Sequence, residues 1–167
     1  MDKQKANSDK KEIQTSFGYW FFNVFQHSGD SIFLFPLFLI LFLLSSEQTK
    51  VLAGIVFAGM LLTGLVVFIL KQIFRKPRPV GTVGKMYRKY DRFSFPSGHA
   101  ARVWAVVTII SFFYWRAAAL LSVWALLISF GRLKLKLHHK TDVFAGVVIG
   151  VLLGIFTVWV SSRFGFY

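Results

Sequence analysis

The stretch VLAGIVFAGMLLTGLVVFIL, residues 51–70, decides the fold class of this chain. Its residues carry no charge, and a run of about 20 apolar residues is long enough to cross the hydrocarbon core of a membrane as a helix. The whole composition agrees, because 55% of the 167 residues are hydrophobic, whereas soluble domains contain about 45–50%. The sequence therefore predicts a membrane protein.

Four further apolar blocks flank this segment. They lie at residues 31–46, 100–115, 117–130 and 143–160. An aromatic stretch with helical spacing, Phe17 to Phe25, precedes them and is typical of a helix at the membrane interface. We therefore predict an all-α polytopic membrane helix bundle, with about five transmembrane helices plus an N-terminal interfacial amphipathic helix. Residues 1–16 are expected to form a polar tail, and residues 17–167 a single membrane-embedded domain.

Positive charge gathers at one end of the predicted helices. The net charge is +13, which predicts anionic partners such as phosphate groups or lipid head groups. The order of the blocks puts three polar segments and the N-terminal tail on one membrane face, together with 17 of the 20 Lys and Arg residues. The chain has no cysteine, so disulfides and thiolate metal sites are excluded.

The first polar segment, KQIFRKPRP, covers residues 71–79. Lys71 and Arg78 lie two helical turns apart, so they share a face if the helix continues, although the prolines indicate that it ends near Arg78. Taken alone, the segment is typical of a basic collar where a helix leaves the membrane.

The second polar segment, PSGH, covers residues 96–99 and precedes an apolar run. Ser97 and Gly98 lie where a hydroxyl and backbone N–H groups bind anions at a helix start. His99 follows in the first turn, near the positive end of the helix dipole. Alone, the segment is explained equally well by a helix cap with a surface histidine.

The third polar segment, GRLKLKLHHKTD, covers residues 131–142. His138 and Asp142 are four residues apart, so on one helical turn the carboxylate reaches the imidazole. A carboxylate that orients a histidine makes the far ring nitrogen a nucleophile or base. The alternative is a surface His–Asp pair, and His139 fits that alternative better than His138 does.

Together and in this order, the three segments resemble the type 2 phosphatidic acid phosphatase superfamily of membrane lipid phosphatases. The resemblance rests on Lys-x6-Arg-Pro, Pro-Ser-Gly-His and Arg-x5-His-x3-Asp, from Lys71 to Asp142. One position departs from the family pattern, since Gly131 stands where the family usually has Ser before the arginine. One pocket hydroxyl is therefore missing, and we expect a tuning effect rather than a loss of chemistry.

The resemblance implies a phosphate pocket built from all three segments. His138 would attack phosphorus and form a phosphohistidine, Asp142 would orient His138, and His99 would protonate the leaving oxygen and then activate water. The implied phosphate-binding residues are Lys71, Arg78, Ser97, Gly98 and Arg132. These cations suit phosphoryl transfer, which needs stabilisation of charge on the phosphate oxygens. No metal and no other cofactor is implied.

The implied function is hydrolysis of the terminal phosphate of a membrane lipid phosphate or diphosphate. Undecaprenyl diphosphate, phosphatidylglycerophosphate, lipid A 1-phosphate and phosphatidate all stay open as substrates. The alternative is a non-enzymatic membrane protein that binds anionic lipid, which explains the charge but not the ordered motifs. A channel or transporter is disfavoured because residues 51–70 and 143–160 carry no ionisable group. Nucleic-acid binding is disfavoured because the basic residues gather at a membrane face.

The expected location is a prokaryotic cytoplasmic membrane, with the active site at the membrane–water interface. The side stays open: the charge bias puts this face in the cytoplasm, whereas bacterial relatives commonly work on the periplasmic face. The basic connection from Val80 to Phe95 either contacts further phosphate or acidic lipid, or forms a solvated collar. No feature of the sequence indicates an oligomeric state.

Overall fold

A computed structural model of the chain describes residues 17–79 and 91–165. The regular structure in these ranges is helical, which confirms the predicted all-α bundle. The helices are α1 (Phe17–Phe25), a 3-10 turn (Gln26–Gly29), α2 (Ser31–Leu44), α3 (Glu47–Phe74), α4 (Gly98–Phe113), α5 (Trp115–Lys134) and α6 (Lys140–Arg163). The predicted polar tail and most of the Val80 to Phe95 connection lie outside the described residues.

Three helices, α3, α5 and α6, are long and apolar enough to cross a membrane. The segments Phe17–Gly29 and Ser31–Leu44 form a pair bent by 41°, which gives a fourth span if the pair is counted as one. Helix α4 is apolar but has only 16 residues, because it begins inside the polar PSGH segment. The described residues therefore contain three or four spans by this criterion, and the predicted count of five is not confirmed.

Helix α4 lies at the centre of the bundle and contacts α3, α5 and α6. Its closest neighbour is α6, where Gly146, Gly150 and Gly154 repeat every fourth residue along the face toward α4. A Cβ atom at Gly150 would lie 2.2 Å from the carbonyl oxygen of Ala101. The backbones approach this closely because α6 has no side chains there, as is common where membrane helices cross.

Large apolar side chains cover the outside of the bundle. Leu120 of α5 is 77% exposed and Phe144 of α6 is 72% exposed, and many other Leu, Ile and Phe residues on α2 and α3 point outward in the same way. Such a surface is unfavourable in water and suits a hydrocarbon solvent. The chain is therefore an integral membrane protein.

The polar ends of α3, α4, α5 and α6 meet at one end of the bundle. The backbone N–H of Ser97 donates to the carbonyl of Asp142 at 2.9 Å, which joins the starts of α4 and α6. The N–H of Ser94 donates to the carbonyl of Lys76 at 2.8 Å, which ties the segment before α4 to the segment after α3. These bonds bring the three polar segments of the sequence together.

Candidate active site

His138 lies at the centre of this polar end and is buried, with 3% exposure. Its Nδ1 donates to the carbonyl of Ser94 at 2.8 Å, so the proton sits on Nδ1 and the lone pair on Nε2. That Nε2 lies 3.3 Å from Nη1 of Arg78 and 3.4 Å from Nη2 of Arg132. An unprotonated ring nitrogen surrounded by guanidinium groups is suited to attack an anionic electrophile.

The pKa of His138 is well below its usual value of 6.5. Burial is the largest cause, and the positive charges of Arg132, Arg78 and Lys71 act in the same direction. Both effects disfavour the imidazolium form. His138 is therefore neutral at physiological pH, which is the state that a nucleophile needs.

Asp142 does not form the direct bond to His138 that their spacing suggested. Its Oδ2 lies 3.9 Å from Nδ1 of His138, and the carbonyl of Ser94 takes that hydrogen bond instead. His138 lies before α6 begins at Lys140, so the four-residue spacing is not one helical turn. The carboxylate accepts from the backbone N–H of His139 at 2.9 Å and from Nζ of Lys76 at 2.5 Å.

His139 and Asp142 form a capping box at the start of α6. The Nδ1 of His139 also lies 3.1 Å from Oδ2 of Asp142. His139 therefore forms the local His–Asp pair, in agreement with the alternative that its position in the sequence favoured. The box fixes where α6 begins. Since His138 is the residue directly before it, Asp142 holds the backbone that carries His138 rather than its ring.

Lys71 and Arg78 converge on one carboxylate, that of Asp91. Lys71 Nζ contacts Asp91 and donates to the carbonyl of Phe93 at 3.0 Å. Arg78 donates through Nη2 to Oδ2 of Asp91 at 2.6 Å and through Nε to its carbonyl at 3.0 Å. A carboxylate is thus held by two of the residues that we predicted to bind phosphate. The only sign of this contact in the sequence is an acidic residue within a basic segment.

The pKa of Asp91 lies below its usual value of 3.8. Burial opposes ionisation, but the charges of Lys71 and Arg78 outweigh it. Asp91 is therefore a carboxylate at physiological pH, and it occupies hydrogen-bond donors of two cations that a phosphate would also use.

Arg132 and Ser97 are both completely buried. Arg132 Nη1 donates to the side-chain oxygen of Gln26 at 2.6 Å, so the turn after α1 helps to hold it. Ser97 Oγ has no hydrogen-bond partner among the described residues. A buried hydroxyl without a partner is costly, and this one lies directly before Gly98, the first residue of α4, where backbone N–H groups also point outward from the helix.

His99 contacts a carboxylate that the sequence did not indicate. Its Nε2 donates to Oδ1 of Asp30, the residue directly before α2. The other oxygen of Asp30 lies 2.6 Å from Nδ1 of His27. Because Nε2 of His99 is engaged by the carboxylate, Nδ1 is the ring nitrogen left to exchange a proton with a ligand.

Gly131, which departs from the family pattern, lies against α1. A Cβ atom at this position would lie 3.1 Å from Cδ1 of Phe22, which is tighter than usual van der Waals contact. The missing hydroxyl therefore coincides with an aromatic side chain of α1 that packs close to the end of α5. A serine at position 131 requires Phe22 to shift.

The bundle has an apolar outer surface, and three cationic side chains and two histidines lie together at its polar end. This combination is typical of membrane proteins that act on phosphate groups. The family model described as the PAP2 superfamily matches residues 52–166, and the chain belongs to this superfamily. This confirms the resemblance to the type 2 phosphatidic acid phosphatases.

Relatives and solved structures agree with the family. The chain is 30% identical over 161 residues to a probable lipid phosphate phosphatase beta from Arabidopsis thaliana, covering 78% of this chain and 75% of the relative. It is 31% identical to LpxE of Aquifex aeolicus, with a TM-score of 0.67 over 84% of this chain and 85% of the other. A PAP2-type phosphatidylglycerolphosphate phosphatase from Bacillus subtilis shares the fold, with 21% identity, a TM-score of 0.73 and coverage of 95% and 87%.

Proposed function

We propose that this protein is an integral membrane lipid phosphatase that removes the terminal phosphate of a lipid phosphate or diphosphate through a phosphohistidine. The observation that carries the proposal is the environment of His138. Its unprotonated Nε2 faces the guanidinium groups of Arg78 and Arg132 at 3.3 and 3.4 Å. A phosphoryl group placed there meets the nucleophile and two cations at the same time, which is what phosphoryl transfer requires.

In the first step, Nε2 of His138 attacks phosphorus while the bond to the leaving oxygen breaks. Lys71, Arg78 and Arg132 neutralise charge on the phosphate oxygens, and Ser97 Oγ and the N–H of Gly98 add hydrogen bonds. The carbonyl of Ser94 holds the Nδ1 proton of His138 in place throughout. Asp142 supports the backbone on which His138 is carried.

In the same step, His99 donates a proton to the leaving oxygen through Nδ1. In the second step, the neutral His99 takes a proton from water, which attacks the phosphohistidine and releases inorganic phosphate. Asp30 keeps the Nε2 proton of His99 fixed, so that the other nitrogen alternates between acid and base. The sum is one lipid phosphate and one water converted to one lipid alcohol and one phosphate.

The position of the site favours a lipid substrate. The reacting residues lie at the ends of membrane helices, level with lipid head groups, so the tail of the substrate stays in the bilayer. Two of the matched proteins are named as phosphatases of lipid phosphates. The substrates to test are phosphatidate, phosphatidylglycerophosphate, lipid A 1-phosphate and undecaprenyl diphosphate. We place the protein in a prokaryotic cytoplasmic membrane, with its site at the membrane–water interface.

Phosphate release from these lipids by the purified protein in detergent tests the proposal. Wild-type protein is expected to release phosphate from at least one of them, and His138→Ala is expected to release none while it still binds lipid. His139→Asn serves as the matched control, because it changes the adjacent histidine but keeps a residue that caps helices. A wild-type protein that binds lipid phosphates and releases no phosphate would instead support the anionic-lipid-binding alternative.

A further inference from the structure

A cavity of about 370 Å³ lies beside His99, between the start of α2, the C-terminal third of α3 and the start of α4. Its polar end is lined by His99, Lys71 and Arg102. Its other wall is apolar and includes Ile32 and Val67. The cavity therefore joins the candidate phosphate site to a hydrocarbon-lined surface.

Arg102 is the feature of this cavity that the proposed mechanism does not use. It lies on α4 three residues after His99, so the two side chains share a helix face and Arg102 lies about one turn deeper in the bundle. A charged side chain on an apolar membrane helix is costly and points to a function. Its neighbours on α4 are mostly apolar, so this part of the helix has no other charged side chain.

The guanidinium of Arg102 has hydrogen-bond donors that no described residue accepts. Nη1 donates to the carbonyl of Gly29 at a long 3.3 Å, and Nε is buried without a partner in the part of the chain that the structure describes. A buried charge of this kind is unfavourable unless a ligand completes its hydrogen bonds.

The two acidic residues of the same cavity accept no hydrogen bond from Arg102. The oxygens of Asp30 contact His27 and His99, and those of Asp91 contact Lys71 and Arg78. Each carboxylate therefore already has its own cationic or N–H partners. Arg102 is left as a cation that faces a cavity.

The position of the cavity relative to His99 indicates which part of the substrate binds there. His99 gives its proton to the leaving oxygen, so the space beyond His99 receives the leaving group. A guanidinium fork on that side fits a second phosphate better than it fits a neutral glycerol or sugar. We propose that Arg102 binds the inner phosphate of a lipid diphosphate, which makes lipid diphosphates the preferred substrates. This inference rests on the proposed phosphatase function.

The reaction balances without a further reagent. His138 attacks the terminal phosphorus, and the bond from that phosphorus to the bridging oxygen breaks. The bridging oxygen leaves with the inner phosphate and takes a proton from His99, so the first product is the lipid monophosphate held by Arg102. Water then attacks the phosphohistidine, and its proton returns to His99 as inorganic phosphate is released. The apolar wall at Ile32 and Val67 accepts the first carbons of the tail.

A matched pair of substrates tests this inference. Geranylgeranyl diphosphate and geranylgeranyl phosphate share one tail and differ only in the inner phosphate, so kcat/KM is measured for both with the wild type, Arg102→Gln and Arg102→Lys. We expect the wild type to prefer the diphosphate, and Arg102→Gln to lower kcat/KM for the diphosphate about 10- to 100-fold while changing the monophosphate value less than about 3-fold. Arg102→Lys keeps the charge and is expected to recover part of the loss.

Arg116→Gln is the matched control. Arg116 is an exposed arginine at the start of α5, stacked near Trp115 and remote from the cavity, so its loss is expected to leave both substrates unaffected. Retained monophosphate activity shows that Arg102→Gln is folded. Equal losses for the two substrates, or a wild type that prefers the monophosphate, would overturn the inference while the phosphatase function stands. Phosphate release from neither substrate by the wild type would overturn both.

Discussion

The carboxylate of Asp30 contacts Nε2 of His99 although 69 residues separate them in the sequence. Asp30 precedes α2 and His99 is the second residue of α4, so the contact joins the first part of the chain to the PSGH segment. It fixes the tautomer of His99 and leaves Nδ1 as the ring nitrogen that can exchange a proton with a ligand. In the proposed mechanism, Asp30 is thus a positioning residue for the acid that protonates the leaving group.

Asp30→Asn tests this relationship. The amide keeps the size of the side chain but loses the charge, so we expect kcat/KM, which reports the steps up to formation of the phosphohistidine, to fall about 10- to 100-fold for a lipid alcohol leaving group. The loss should be much smaller with p-nitrophenyl phosphate, because nitrophenolate leaves without a proton. A merely structural role for Asp30 predicts the same loss with both substrates, and that result would contradict the assignment.

Asp91→Asn tests competition between Asp91 and phosphate. The Asp91 carboxylate is bound by Lys71 and Arg78, which the proposed mechanism assigns to the phosphate oxygens. Loss of this charge is expected to lower the inhibition constant for inorganic phosphate about 3- to 10-fold. Glu47→Gln is the control, since Glu47 is an exposed acidic residue at the other end of α3 that pairs with Lys50. An unchanged or higher inhibition constant in Asp91→Asn would show that Asp91 does not compete.

The low pKa of His138 predicts how stability depends on pH. In the folded protein His138 stays neutral below pH 6.5, whereas in the unfolded chain it takes up a proton near its usual pKa of 6.5. The unfolded state then binds more protons, so the free energy of unfolding falls as the pH drops below 6.5, by up to about 1.4 kcal/mol at pH 5.5. The contribution of His138 to the free energy of unfolding is fully present well above pH 6.5.

The measurement is heat denaturation in detergent at pH 7.5 and 5.5. The wild type should lose more thermal stability between these values than His138→Gln, which lacks the titrating group. Equal pH dependence of the wild type and His138→Gln is the outcome that counts against a neutral, buried His138.

The proposed mechanism uses only groups of the protein itself, so activity is expected to survive chelation. In the described ranges, no group of three or more His, Asp or Glu residues is arranged to hold a metal ion. Phosphate release is measured before and after dialysis against EDTA, and the rate is expected to change less than about 2-fold. Loss of a catalytic metal would lower the rate far more. A loss of turnover that added Mg²⁺ restores would contradict the mechanism.

The helices were largely predictable because apolar blocks of span length have few alternatives. The block at 51–70 lies within α3, which extends to Glu47 and Phe74, so Lys71 lies inside the helix rather than after it. The apolar blocks at 100–115 and 117–130 predict a break between α4 and α5 at Arg116, whereas the break lies at Tyr114. Composition cannot locate such a break to the residue, because a turn between two apolar helices depends on backbone geometry.

The motif residues were predictable, but their partners were not. Asp30 and Asp91 lie far from His99 and Lys71 in sequence, and no spacing rule connects them. The carbonyl of Ser94 orients His138. Every residue has a backbone carbonyl, so residue type does not reveal this contact. The expected Asp142–His138 bond failed to form for a related reason, since the four-residue rule holds only within a helix and His138 precedes α6.

Trapping the phosphoenzyme shows directly whether His138 is the nucleophile. Purified protein is mixed with a lipid phosphate or diphosphate labelled with ³²P in the terminal phosphate, quenched in alkali, and analysed for label on the chain. We expect the wild type to carry label that is stable to alkali, labile to acid and located at His138 by peptide mapping. His138→Ala is expected to carry no label and to release no phosphate. Label on another residue, or substantial phosphate release by His138→Ala, would contradict the assignment of His138 as the nucleophile.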